Sequence, residues 1–465
     1  MRRVGLLPLL AVLAALLSGC GGGASGASSS DNASGIVPGD ALAFVVVDTD
    51  QGSTQFQNAK AIVDKFPIKD RALRSIRQSL AKQGVDLTKL GNSIGPELDI
   101  AALKVNGKNY AVGFTKPKDE QAFTAQLDSG TSKAKHEQVD GWTVFSNDQA
   151  AIAAVKSRTS NLGDEQAYKD ALGTLPSDTI AHAYIAPAAF GQALATSGLG
   201  QAAPLDTSKL KWVAAAATAD SGAVKVEVHA KGVQAPAAGS SELAGQIPAG
   251  SIVALNLVGA SKAASGSAAQ ALQQAQTLLG GIDLQGLVGA LGDDTIAYLK
   301  PGALIPEVTI ASKPADKQRA LAAVDGLIKR FAKPASPPSK VTVDGVELTK
   351  VDLGPVALFY GTFGDELVVS DNQNAVAELR SKSDRLTDDA VFKEARDGSG
   401  MPDSTQGFVY VNLKDGVPAA EALAQLASQK IPAEVDANLK PLRSLLVYGT
   451  RDGDVQNVVA YLQTS

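Results

Sequence analysis

Seven blocks of this chain occur twice, in the same order. "VPGDALAFVVVD" (37 to 48) returns as "IPAGSIVALNLV" (247 to 258), a proline-led turn running into an apolar strand. "VDLTKLGNSIGPELDIAALK" (85 to 104) returns as "IDLQGLVGALGDDTIAYLK" (282 to 300), and "KPKDEQAF" (116 to 123) matches the start of "KPADKQRAL" (313 to 321). "FSNDQAAIAAV" pairs with "VSDNQNAVAEL", "DEQAYKDA" with "DDAVFKEA", "LPSDTIAHAYI" with "MPDSTQGFVYV", and "AAAATADSGAVKVEV" with "LVYGTRDGDVQNVV". Repetition on this scale predicts two homologous domains, 36 to 235 and 244 to 465, joined by a linker at 236 to 243.

Each half reads as α+β. In the first, Ala41 to Asp48 is an opening strand, and "STQFQNAKAIVDKFP" places Phe56, Ala59, Ile62 and Val63 on one helical face. Asn106-Gly107 and Asp140-Gly141 are hairpin signals, and Asp220 to Gly222 closes the half with a third hairpin. Hairpin connections favour a mainly antiparallel sheet with helices packed on one face over a doubly wound parallel sheet.

The second half is longer between its matching Lys-Pro and Ser, and extra strands are expected near 341 to 369. In "PVALFYGTFGDELVVS", Leu358 and Tyr360 fall on one face and Phe359 and Phe363 on the other. A strand apolar on both faces is covered on both, by the protein's own helices or by a partner, which makes Phe359, Tyr360 and Phe363 a candidate partner surface.

The N-terminus points to an address. Arg2-Arg3, an apolar run from Leu6 to Leu17 and Leu17-Ser18-Gly19-Cys20 form a lipoprotein signal, with cleavage expected after residue 19 and a diacylglycerol thioether on Cys20. The run is shorter than the ~20 residues that span a bilayer. Residues 20 to 35, "CGGGASGASSSDNASG", hold no large apolar side chain and read as a flexible tether. Cys20 is the sole cysteine, so a lipidated chain has no thiol for disulfides, catalysis or metal. Residues 20 to 465 carry 41 basic and 48 acidic side chains, a balance that argues against a nucleic-acid partner and leaves acylation as the membrane attachment. The expected location is the outer face of the cytoplasmic membrane.

Catalytic and cofactor motifs are missing. No G-x-S-x-G elbow, P-loop, dinucleotide fingerprint or H-E-x-x-H helix occurs, so no cofactor and no enzymatic activity are expected. His136, His182 and His229 have no metal-ligand spacing and no matching histidine in the other half. Asp48-Thr49-Asp50-Gln51-Gly52 begins like a calcium loop, but Ala59 stands where the bidentate Glu belongs. Ser370-Asp371-Asn372 and Ser79-Leu80-Ala81-Lys82 nominally match penicillin-binding enzymes, without the Lys-Thr-Gly element. Ser370 and its copy Ser146 each precede a Gln by three, which reads as a capping box that starts a helix.

The lipobox, the Gly/Ser tether, the "VPGDALAFVVVD" strand and the "VVSDNQNAVAEL" to "DDAVFKEA" block together resemble a family of bacterial secreted lipoproteins. That family is defined only as a domain of unknown function and is common in high-GC Gram-positive bacteria. The resemblance implies an envelope location and an Ala-rich α+β fold. The expected function is non-enzymatic binding or scaffolding of another envelope component; the alternatives are a carrier of an apolar ligand such as a lipid, and an enzyme with a dispersed site.

Overall fold

A computed structural model describes residues 32–81, 87–129, 134–191, 208–233, 238–259, 284–302, 305–331, 334, 336–354, 356–426 and 428–465. Its first half contributes β1 (Ala43–Asp48), β2 (Glu97–Val105), β3 (Lys108–Thr115), β4 (Lys135–Val139), β5 (Trp142–Ser146), β6 (Ala181–Ile185), β7 (Trp212–Ala219) and β8 (Ala223–Lys231). The second half contributes β9 (Val253–Val258), β10 (Asp294–Lys300), β11 (Glu307–Ser312), β12 (Ser339–Val343), β13 (Val346–Asp352), β14 (Ala357–Phe363) and β15 (Glu366–Ser370). It ends with β16 (Gly407–Asn412), β17 (Leu442–Asp452) and β18 (Val455–Thr464).

All these strands belong to one antiparallel sheet of 18 strands, and the protein is of the α+β class. Across the first half the order is β4, β5, β3, β2, β1, β6, β7, β8. β8 then pairs with β18, from Val455 opposite Lys231 to Gln463 opposite Ala223. Beyond it the order is β17, β16, β9, β10, β11, β15, β14, β13, β12. Read outward from the β8–β18 seam, the pairing order of the two halves is the same until β12 and β13. β12 and β13 have no counterpart in that order, while β15 and β14 follow β11 as β5 and β4 follow β3.

The turns follow local chemistry. Asn106 and Gly107 take φ of 50° and 77°, the paired positive values of a type I′ turn between β2 and β3. Asp140-Gly141 and Asp344-Gly345 repeat them with φ of 48° and 82°, and 48° and 76°. Ser53 caps the helix Thr54–Asp64 by accepting from the Phe56 N–H at 3.0 Å.

Helices lie on both faces of the sheet, where the sequence reading puts them on one. On the first face, Phe44, Val112, Val144, Tyr184 and Trp212 form a core with the helices Gln149–Lys156 and Gln166–Leu172. Tyr168 stacks edge-on against Phe44 and Tyr184, with ring centroids 6.1 and 5.5 Å apart, a geometry worth about 1 kcal/mol per pair beyond burial. Ala254, Ile296, Tyr410 and Leu446 continue this face beneath the helices Ala375–Arg380 and Ala390–Ser399. On the opposite face, the helix Thr54–Asp64 covers Ala217 and Ala219, and Leu87–Ser93 and Glu120–Ser129 cover Leu98, Ile100 and Phe145. Leu284–Leu291 and Lys317–Phe331 do the same for Val351, Tyr360 and Leu367. The physical reason is visible in β2, where Leu98 and Ile100 alternate with Ala101 and Leu103, so both faces need cover.

Two expected spacers are packed in part. The tether was drawn to residue 35, but Ala33 is fully buried and donates its N–H to the Asp99 carboxylate at 2.6 Å. Within the expected linker, Gly239 exchanges main-chain hydrogen bonds with Thr405, and Leu243 is fully buried. Small residues made both stretches look loose, although small side chains also allow close main-chain pairing.

Candidate functional site

Among the described residues, apolar side chains over the middle of the opposite face of the sheet are partly exposed. Following the strand register across the seam, Val226, Ala460, Val447, Val409, Leu255, Ala297 and Ile310 stand directly side by side on seven neighbouring strands. At about 4.8 Å between strands, this uncharged row is about 29 Å long. Val226, Val458, Val409, Leu257, Val308 and Ile310 on this face are 36% to 43% exposed. In β8 the alternation is plain: Val224, Val226 and Val228 face this side, while Lys225, Glu227 and His229 face the other. A strand that sends its valines to one side is built for that side to be covered.

The residues singled out from the sequence have other surroundings. Phe359 and Tyr360 are buried by the protein itself, which corrects their assignment to a partner surface. Phe359 and Phe363 pack into the first-face core with Leu348 of β13, and Tyr360 lies beneath the helix Lys317–Phe331, where its hydroxyl donates to Asp325. Cys20 and the leader lie outside the described residues, as does Lys82 of the Ser-x-x-Lys motif. No helix among the described residues is long and apolar enough to cross a membrane.

Neither serine is a helix cap. Ser146 ends β5 and donates to the Ala111 carbonyl at 2.8 Å; Ser370 ends β15 and donates to the Val308 carbonyl at 3.1 Å. Both strands run on through the serine, so capping passes to Asp148, which accepts from the Ala150 N–H at 2.9 Å. In the second half the N-cap of Ala375–Arg380 is Asn374, which makes no side-chain cap bond; ahead of it Ser370 accepts from the Asn372 N–H at 3.0 Å and Asn372 from the Asn374 N–H at 2.9 Å, closing the turn.

Titratable groups gather at one end of β1. Asp48 accepts from the Asp50 N–H at 2.8 Å and from the Ser53 hydroxyl, and Asp50 accepts from the Gly52 N–H at 3.0 Å. These bonds make the calcium-like stretch a tight turn into the helix Thr54–Asp64. Burial, the largest cause, pushes the Asp48 carboxyl up. Asp99, buried beside Glu97, is held well above the usual carboxylate range by burial and then by the Glu97 charge. Its structural task has a parallel in Asp294, which accepts from the Leu243 and Glu242 N–H groups at 3.2 and 2.9 Å, as Asp99 accepts from Ala33.

The histidines separate. His136 is 3.3 Å from Asp128 at the surface, whereas His182 and His229 are buried and their imidazoles are pushed down by burial, His182 to about 4. Among the described residues no three His, Cys, Asp or Glu side chains are placed to share a metal ion. Thr179 and His182 are 3.2 Å apart, but no carboxylate orients the ring from its other nitrogen as a nucleophile–base pair requires.

Comparison with known proteins adds little. No family model matches the chain, and no curated protein matches it. Two solved structures, crystal forms IV and III of TP0453, are similar at 11% and 10% identity. They cover 48% and 47% of this chain and 94% and 93% of their own, with TM-scores of 0.27 and 0.25.

The partly exposed apolar row on this face was missed in the sequence. The signal was present in "VKVEVHAK", but alternation marks which side is apolar and is silent on what covers it.

Proposed function

We propose that this chain is a lipid-anchored extracytoplasmic protein of the bacterial envelope that binds or scaffolds another envelope protein and catalyses no reaction. The observation that carries the binding reading is the uncharged row of apolar side chains across seven strands. Elsewhere on the same face the chain uses its own helices as cover, so the complementary partner is the apolar side of a helical segment. The recurring strand order supports reading the halves as copies of one unit, whose fusion creates the wide face. The lipobox supports the location.

Two experiments test this. Cys20→Ala is expected to abolish acyl labelling and membrane association; labelling that persists in the variant refutes the anchor. A photo-crosslinking residue at Val409 or Leu257 is expected to give one discrete protein adduct in intact cells, and the same residue at exposed Lys340 none. Val409→Lys with Leu257→Lys, both at solvent-exposed positions, should abolish capture of that partner without unfolding the chain. Adducts that are equal at all three positions, or absent from Val409 and Leu257, refute the docking face.

A further inference from the structure

Where β1 runs into the turn at 49–53, a cavity of 270 Å³ opens between that turn and the loop before β6. Asp48, Asp50, Glu97, Asp178, Thr179 and His182 line it. Acidic residues in a turn are common, and their mutual hydrogen bonds explain the turn. His182 is different. It is 9% exposed, its Nδ1 is within hydrogen-bond distance of the Thr179 hydroxyl, and its Nε2 is buried without a partner. An unpaired buried polar atom costs about 1–3 kcal/mol and needs a reason to persist.

The fold does not supply that reason. His182 stands opposite Val46 on β1, and at the same place in the second half Phe408 stands opposite Asn256. Val258 ends β9 where Asp48 ends β1. Phenylalanine and valine therefore serve two of these strand positions, so the strands themselves do not require Asp48 or the imidazole, whereas Glu97 opposite Asp48 is matched by an acid, Asp294 opposite Val258. Asp178 is also held in position, since Gln55 donates to it at 3.3 Å while accepting from the Ala219 N–H at 2.8 Å.

We propose that this cleft binds an organic cation, a guanidinium or primary ammonium group, which donates N–H bonds to the acidic wall and one to Nε2 of His182. In that arrangement His182 carries its proton on Nδ1 and donates it to Thr179, leaving the Nε2 lone pair for the ligand. Several carboxylates around a cavity this wide suit a multi-donor cation, and no three of the described ligating side chains converge as a metal ion requires. Two sources share this chemistry: a free small cation, and an arginine or lysine side chain of a protein.

Calorimetric titration of the full chain in detergent micelles tests the site with agmatine, with a neutral-ended arginine peptide, and with zinc ion alone. Agmatine binding identifies a free small cation as sufficient; binding of the peptide alone identifies a side chain; either supports the site. Asp178→Asn and His182→Phe should each weaken that binding by about tenfold or more, with the thermal midpoint of Asp178→Asn at neutral pH unchanged. Binding of zinc without either organic cation overturns the proposal. So does the absence of heat with both organic cations at millimolar concentration, or equal affinity in wild type and both variants.

Discussion

Produced as separate chains, residues 32–233 and 238–465 are expected to self-associate when alone and to form a one-to-one complex when mixed. β8 is an interior strand only because β18 covers it from Lys231 to Ala223; without β18 its main-chain N–H and C=O groups become a long edge that invites pairing. Side chains cross the seam as well, since Ala223 packs into the core of the second half and Val455 against that of the first. At the strand ends, Lys65 donates to the Thr464 hydroxyl at 2.8 Å, and that hydroxyl donates to the Gly222 carbonyl at 2.9 Å. Light scattering on each half and on the mixture measures the outcome. Two stable monomers that ignore each other would remove the shared sheet from the account.

The second large effect is acid sensitivity. Burial holds the His182 imidazole at about 4 in the folded chain, against about 6.5 when unfolded. Above that higher value neither state is protonated and the stability is fully present. As the pH falls from about 6.5 to about 4, the unfolded chain takes up a proton that the folded chain refuses, and stability is lost. The window corresponds to about 3 kcal/mol. His229 is shifted the same way by burial. Asp48, Asp99 and Glu366, raised mainly by burial, act in the opposite sense, their stabilising protonation being lost as the pH rises. The informative quantity is therefore the difference between wild type and His182→Phe, with Asp178→Asn as control because Asp178 lines the same cleft. Urea unfolding between pH 4 and 7.5 should show a shallower fall for His182→Phe. Parallel curves would show that His182 does not govern it.

Much of the local structure was legible because it is decided locally. Asn106-Gly107 and Asp140-Gly141 name their own turns, and Phe56, Ala59 and Ile62 do meet one core through one helical face. The joining of the halves was not legible, since nothing in β8 or β18 alone says that they pair with each other. Phe359 and Tyr360 show the same limit from another side: their pattern states that both faces are covered, and the identity of the cover depends on a helix and on strands β12 and β13. The serines were misread for a subtler reason. A serine before a helix satisfies the capping pattern whether or not the strand ahead of it has ended, and here β5 and β15 run through Ser146 and Ser370. In the cleft, Asp48 and Asp50 drew notice as a short motif, while His182 and Asp178 lie too far along the chain to be joined to them without the fold.

The seam also sets an order of events. β8 emerges early and β18 emerges last among these strands, so a chain made or exported from its N-terminus presents the unfinished edge first. At the usual pace of about 5–20 residues per second, the wait is roughly 10 to 45 s. Throughout that interval Val224, Val226 and Val228 sit on a strand that is paired with β7 along one edge and open along the other. Of all the stages in this protein's life, the one most exposed to misassembly comes before its last strand arrives, and a holding chaperone would act there.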